Sequence, residues 1–138
     1  MYQKIMVPVD LAHLETLQKS LRVAVDIARL YEAEIYYISI TSSLPGKVAR
    51  TPEEYTRKLE EFADEQGETH GLATSARTFL SHDPVADMDE IIVSAAKRIG
   101  ADLIVMATQL PGRLNIFLPT NGSRVARHTE VSVFLVRS

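Results

Sequence analysis

Five short apolar runs rich in β-branched and aromatic residues recur along this chain, and a longer segment separates each from the next. The runs are KIMVPVD (4–10), EIYYISI (34–40), ARTFLS (76–81), DLIVMAT (102–108) and VSVFLVR (131–137). Each has the length and composition of a strand. The first intervening segment, residues 14–31, repeats Leu14, Leu17, Leu21, Val25 and Ala28 at helical spacing. Gln18, Lys19 and Arg22 fall elsewhere on the wheel. Alternation of this kind requires crossover helices on a parallel sheet, placed on both faces by right-handed connections. The expected fold is α/β, an open five-stranded parallel sheet. With the first strand central, the strand order reverses between strands one and four, and ligands bind outside the carboxyl ends of the strands there. Asp10 and residues 107–109 then face one crevice.

The connections carry their own signals. TSSLPGKVAR (41–50) is a loop by its Ser, Pro and Gly content. Thr51-Pro52-Glu53-Glu54 sets an N-cap hydroxyl three residues before a glutamate, with proline at the first helical position. That second helix is charged, should lie on the surface and is expected to run to about Gln66; GETHGLATS (67–75) reads as a turn. Asp83-Pro84 repeats the cap-plus-proline start for a helix over 85–100, striped by Ile91, Ile92, Ala95 and Ile99 and stopped by Gly100. A short last helix ends near His128. Pro8 lacks a ladder donor and should stand near the end of its strand.

A length of 138 residues favours one domain, residues 1–138. The net charge of −3 gives no electrostatic case for nucleic-acid binding. The absence of cysteine excludes disulfides, thiolate metal sites and cysteine nucleophiles. No apolar run approaches the roughly 20 residues of a membrane span. The start, MYQKIMVPVD, has no signal-peptide pattern, so a cytoplasmic location is expected.

Asp10, at the end of the first strand, is either a ligand carboxylate or the cap of the following turn. A receiver-domain reading fails for want of an acidic pair, an aspartate ending strand three and a late lysine; Asp83 is an N-cap. His13, His70, His82 and His128 have no metal-ligand spacing. No G-x-S-x-G elbow, Walker loop or G-x-G-x-x-G turn occurs. Of the tyrosines considered for base stacking, Tyr2, Tyr31, Tyr36, Tyr37 and Tyr55, two lie in a strand, where they are ordinary packing material. The remaining candidate is ATQLPGRLNIFLPTNGSR (107–124), which leads into a helix start. Unpaired N–H groups there attract anions, and Thr120, Asn121 and Ser123 add polar groups. The alternative role of Thr120 or Asn121 is a plain helix cap.

KIMVPVD, AEIYYISITSSLPG, ADLIVMATQLPG and NGSRVARHTEVSVFLVRS together resemble the universal stress protein A-like family, closest to its short F/G-type members, over nearly the whole chain. The resemblance implies strand order 3-2-1-4-5 and an adenine nucleotide, ATP or AMP, with Mg2+ as an optional companion and no required cofactor. It implies a homodimer through the last strand, Val131 to Arg137, and an unnamed protein partner, with neither nucleic acid nor membrane involved. Nucleotide-binding members carry G-x2-G-x9-G-[ST] after strand four. Gly112 and Gly122-Ser123 fit its second half by counting, with Gln109 in the place of the first glycine. A register counted back from the last strand instead places Pro119-Thr120 at the family's Gly-Ser and gives the last helix a fuller length. That register is preferred, and it puts a proline where backbone should approach phosphate. The site residues implied by position are Pro8, Val9 and Asp10 for base and sugar, Ile40 for the adenine edge, and Ala107, Thr108 and Gln109 beside the ribose. Thr120, Asn121, Gly122 and Ser123 would meet the phosphates. Leu11-Ala12 replaces the small polar residues common in the family. The expectation is a nucleotide-binding stress protein without fast catalysis. The alternatives are an interaction module that has lost its nucleotide and a slow nucleotide hydrolase.

Overall fold

In the computed structural model, which describes residues 1–108 and 119–137, strand β1 (Lys4–Pro8) lies at the centre of the sheet. Its neighbours are β2 (Glu34–Thr41) on one side and β4 (Leu103–Thr108) on the other. The edges are β3 (Thr74–Leu80) and β5 (Ser132–Arg137), giving the order β3-β2-β1-β4-β5 with every pair parallel. This is the order implied by the family resemblance.

The two-residue alternation of the central strands divides the core. Ile5, Val7 and Val9, with Leu103 and Val105, face α1 (Gln18–Tyr31) and α2 (Pro52–His70). Met6, Ile104 and Met106 face α3 (Pro84–Ile99) and Val125 of α4 (Pro119–His128). Continuous apolar runs are therefore needed in β1 and β4, since both of their faces are covered. Register at the base is set by Asp102, whose carboxylate accepts from the N–H groups of Gln3 (2.9 Å) and Lys4 (3.1 Å).

Helix boundaries differ from the sequence expectation in two places. Residues Leu11–Leu17 form a 3-10 segment, and the α-helix begins only at Gln18. The cause is local: Asp10 caps the segment, His13 leaves helical geometry at ψ 41°, and the Thr16 hydroxyl donates to the His13 carbonyl at 2.8 Å. Second, α2 continues to His70 and β3 starts at Thr74, so the expected turn over 67–75 is compressed to a few residues. Gly71 takes the left-handed cap at φ 66°. Gly67 lies inside the helix, where a Cβ would meet Thr74 Oγ1 at 2.6 Å and the Leu72 carbonyl at 2.9 Å. Thr74 itself donates to the Ala63 carbonyl at 2.7 Å, so it has little room to move. The caps at Thr51 and Asp83 form as expected, accepting from Glu54 N and Ala86 N, and Gly100 ends α3 with φ 76°.

Gly67→Ala tests helix propensity against packing. Propensity alone favours alanine by about 1 kcal/mol, whereas the tight approach predicts a net destabilisation of about 1–3 kcal/mol. Urea unfolding reads the sign, and a stabilised variant contradicts the packing argument. Tyr37 supplies a second test. It is fully buried, packs edge-on against Phe62, and its hydroxyl has no hydrogen-bond partner among the described residues. Burial pushes the phenol from its ordinary 10 up to about 12. The unfolded chain therefore releases this proton first, and Tyr37 costs stability as pH rises from 10 toward 12. Tyr37→Phe should be neutral to stabilising by up to about 1 kcal/mol at pH 7, with a shallower alkaline loss of stability. A marked drop in melting temperature at pH 7 would show that the hydroxyl has a stabilising role.

Candidate functional site

The backbone of β2 alternates between its two neighbours, and its hydrogen bonds identify which residues face which. Glu34 N donates to Gln3 O and Ile38 O accepts from Val9 N at 2.7 Å, so the even-numbered residues face β1. Ile35 N donates to Ala73 O and Thr41 O accepts from Ser81 N, so the odd-numbered residues face β3. Ile40 therefore turns its carbonyl to the β1 side. In a continuing ladder that carbonyl would receive the Leu11 N–H. Here Leu11 N donates instead to the Tyr55 hydroxyl at 3.2 Å.

Tyr55 is placed by α2. The Thr51 cap starts the helix and brings the ring over the end of β1, where it lines a cavity. Its hydroxyl also bonds the side chain of Ser39. The Ser39 hydroxyl donates its proton to Val9 O at 2.6 Å. Burial raises the Tyr55 phenol above its usual range.

The cavity beneath Tyr55 holds about 270 Å3. Its floor is apolar, with Val9, Ile40, Met88 and Ile92 among its lining. The loop after β2 closes one side through Leu44, Pro45, Val48 and Ala49. That loop is tied back by Gly46 N to Ala49 O at 2.9 Å and by Lys58 Nζ, which bonds the Val48 carbonyl and pairs with Glu54 at 3.4 Å. At the mouth stands Asp10. One carboxylate oxygen accepts from Ala12 N at 3.0 Å, and the other meets His13 Nδ1 at 3.2 Å. Asp10 is thus the cap of the following segment, and it also lines the cavity.

Four of the sequence-derived site residues, Pro8, Val9, Asp10 and Ile40, line this one cavity. Ala107 and Thr108 end β4, Thr108 buried and paired in register with Arg137 of β5, and neither lines the cavity. The β1–β4 ladder reaches only Met6↔Ile104, whereas β1–β2 pairing continues through Pro8↔Ile38. The enclosed space accordingly lies on the β2 side of Asp10. Gln109 and most of the 107–124 stretch lie outside the described residues. α4 begins at Pro119, which agrees with the register counted back from the last strand: Thr120, Asn121, Gly122 and Ser123 all fall in the helix rather than ahead of it, and their side chains lie outside the described part.

Sequence reasoning did not bring Ser39, Met88, Ile92 or the His13–Asp10 contact to this cavity, and it weighed Tyr55 only among five tyrosines for base stacking. Tyr55 carried one usable signal, its position in the first turn of a capped helix that follows the loop of strand two. Ile92 read only as helix stripe, and Met88 was not singled out.

The Universal stress protein family profile matches residues 1–137. Universal stress protein G of Salmonella typhimurium is 24% identical over 148 residues, covering 99% of this chain and 100% of that protein. A universal stress protein family member from Burkholderia pseudomallei superposes with a TM-score of 0.72 at 21% identity, covering 99% of this chain and 97% of that one. The universal stress protein from Archaeoglobus fulgidus, solved in complex with dAMP, gives a TM-score of 0.66 at 20% identity and 97% coverage of each chain. The G-type relative agrees with the F/G-type character of the quoted segments. With a family match from residue 1 to residue 137 and a sheet ordered 3-2-1-4-5, the chain belongs to the universal stress protein family.

Proposed function

We propose that this chain is a single-domain cytoplasmic stress protein that binds an adenine nucleotide, ATP or AMP, in the cavity at the ends of β1 and β2. The observation that carries this reading is the combination of an apolar slot with a backbone carbonyl, that of Ile40, turned to its edge and a carboxylate, Asp10, at its mouth. A purine needs apolar contact on its faces and few polar partners on its rim. A ribose offers hydroxyl donors, and each Asp10 oxygen keeps acceptor capacity beyond the bond it already makes. The dAMP complex of the Archaeoglobus fulgidus protein supports the ligand class. Ala107, Thr108 and Gln109 would flank the sugar, and the N–H groups that open α4 at Thr120 to Ser123 would meet phosphate. Pro119 weakens that end of the site, because it contributes no N–H. Mg2+ fits only as a companion of the phosphates. Asp10 is the one carboxylate lining the cavity, and no group of three or more metal-ligating His, Asp or Glu side chains occurs among the described residues. Fast hydrolysis is not part of the reading; among the described lining residues Asp10 is the one carboxylate.

The exposed edge favours a second role that coexists with the first. Phe134 and Leu135 of β5 are 45% and 36% exposed. An open, apolar parallel edge is covered in stable proteins by pairing, which supports a homodimer through Val131 to Arg137 and a surface for a protein partner. No described helix is long and apolar enough to cross a membrane.

Two measurements test these readings. AMP or ATP at about 100 times its Kd should stabilise the protein by about 2.7 kcal/mol, and Asp10→Asn should weaken binding roughly tenfold. Absence of both calorimetric heat and thermal stabilisation at millimolar ligand removes nucleotide binding. Sedimentation should show a dimer that Phe134→Lys shifts toward monomer, with its dissociation constant raised at least roughly tenfold. A wild-type protein monomeric at high concentration refutes the edge-pairing.

A further inference from the structure

The bond from Leu11 N to the Tyr55 hydroxyl has a role that the family match does not supply. Two hydrogen bonds lie side by side across the end of β1: Leu11 N–H to the Tyr55 hydroxyl, and the Ser39 hydroxyl to the Val9 carbonyl. Together they end β1–β2 pairing just after Val9. The main-chain donor that parallel register would assign to the Ile40 carbonyl is the Leu11 N–H, and Tyr55 takes it. The consequence is an acceptor turned to an apolar slot, beside the ring that diverted its donor.

We propose that Tyr55 is the specificity-determining residue of this site: by capturing the Leu11 N–H it reserves the Ile40 carbonyl as an acceptor for the exocyclic amino group of a 6-amino purine, and so rejects 6-oxo purines. This rests on the proposed nucleotide site. The discrimination follows from what an acceptor does to each base. An amino group satisfies the carbonyl, whereas a 6-oxo group sets two acceptors against each other and leaves both without a donor. Tyr55 need not touch the base for this. It acts through Leu11, and its ring adds apolar cover equally for either purine.

The test compares AMP with IMP, which share sugar and phosphate. Wild-type protein should prefer AMP by roughly tenfold to a hundredfold in Kd. In Tyr55→Phe the Leu11 N–H is released to the Ile40 carbonyl, and the AMP/IMP ratio should fall to within about threefold. A merely structural role for Tyr55 would weaken both nucleotides together and leave the ratio unchanged. The second variant guards against a general loss of shape. Leu11→Pro removes the competing N–H outright, at the first position of the 3-10 segment and after Asp10 in an extended conformation (φ −112°, ψ 108°), both of which accept proline. In the double variant Tyr55→Phe, Leu11→Pro the preference for AMP should return. A ratio preserved in Tyr55→Phe, or still lost in the double variant, overturns the proposal. So does equal binding of AMP and IMP by the wild type, without harm to the nucleotide reading. Failure of the wild type to bind either removes that reading and this one with it.

Discussion

A parallel strand that stops in the middle of a sheet must pass its last backbone donors and acceptors to something other than a strand. In this protein that transfer takes place at the end of β1. Pro8 brings no N–H, Val9 makes the last ladder bond to Ile38, and Leu11 turns away to Tyr55. Every unpaired backbone group left buried would cost on the order of 1–3 kcal/mol, so the handover is constrained closely. It is met by side chains from two other elements, Ser39 of β2 and Tyr55 of α2. The cavity is the space opened by that substitution, and Asp10 stands at its mouth because the chain must leave the sheet there.

The surrounding architecture keeps this end in place. β1 is buried on both faces, with Ile5 and Val7 toward one helix pair and Met6 toward the other. Asp102 fixes the opposite end of the strand through Gln3 and Lys4. The Thr51 cap, the Lys58 tie to Val48 and the close approach of Gly67 to Thr74 together set how α2 lies across β2 and β3. The position of the Tyr55 ring over the cavity depends on all three. Function in such a sheet collects at the strand ends because that is where packing leaves backbone groups to be shared with a ligand.

Much of this was legible in residues. The strands were found because apolar runs of strand length alternate with helical stripes, and the caps at Thr51 and Asp83 because a hydroxyl or carboxylate before proline has few other uses. Asp10 was legible at the crevice because it ends a central strand, and Pro8, Val9 and Ile40, which line the same cavity, were named through the family resemblance. What was not legible depends on three-dimensional crowding. Gly67 looked like a turn residue, since its reason for being glycine is Thr74, on the next strand. The 3-10 segment after Asp10 looked like α-helix, since leucines at helical spacing do not register a side chain bonding its own backbone. His13 looked isolated because its partner is the carboxylate already assigned to a ligand or a cap.

The sequence by itself determined the class of fold and, through the resemblance of its strand-end segments, the family. Those follow from period, length and the identity of residues at strand ends, which are local properties. Tertiary structure alone decided which strand pair encloses the cavity and that Tyr55 lines it. Those depend on where a ladder stops, and a ladder stops where distant side chains compete successfully for its hydrogen bonds.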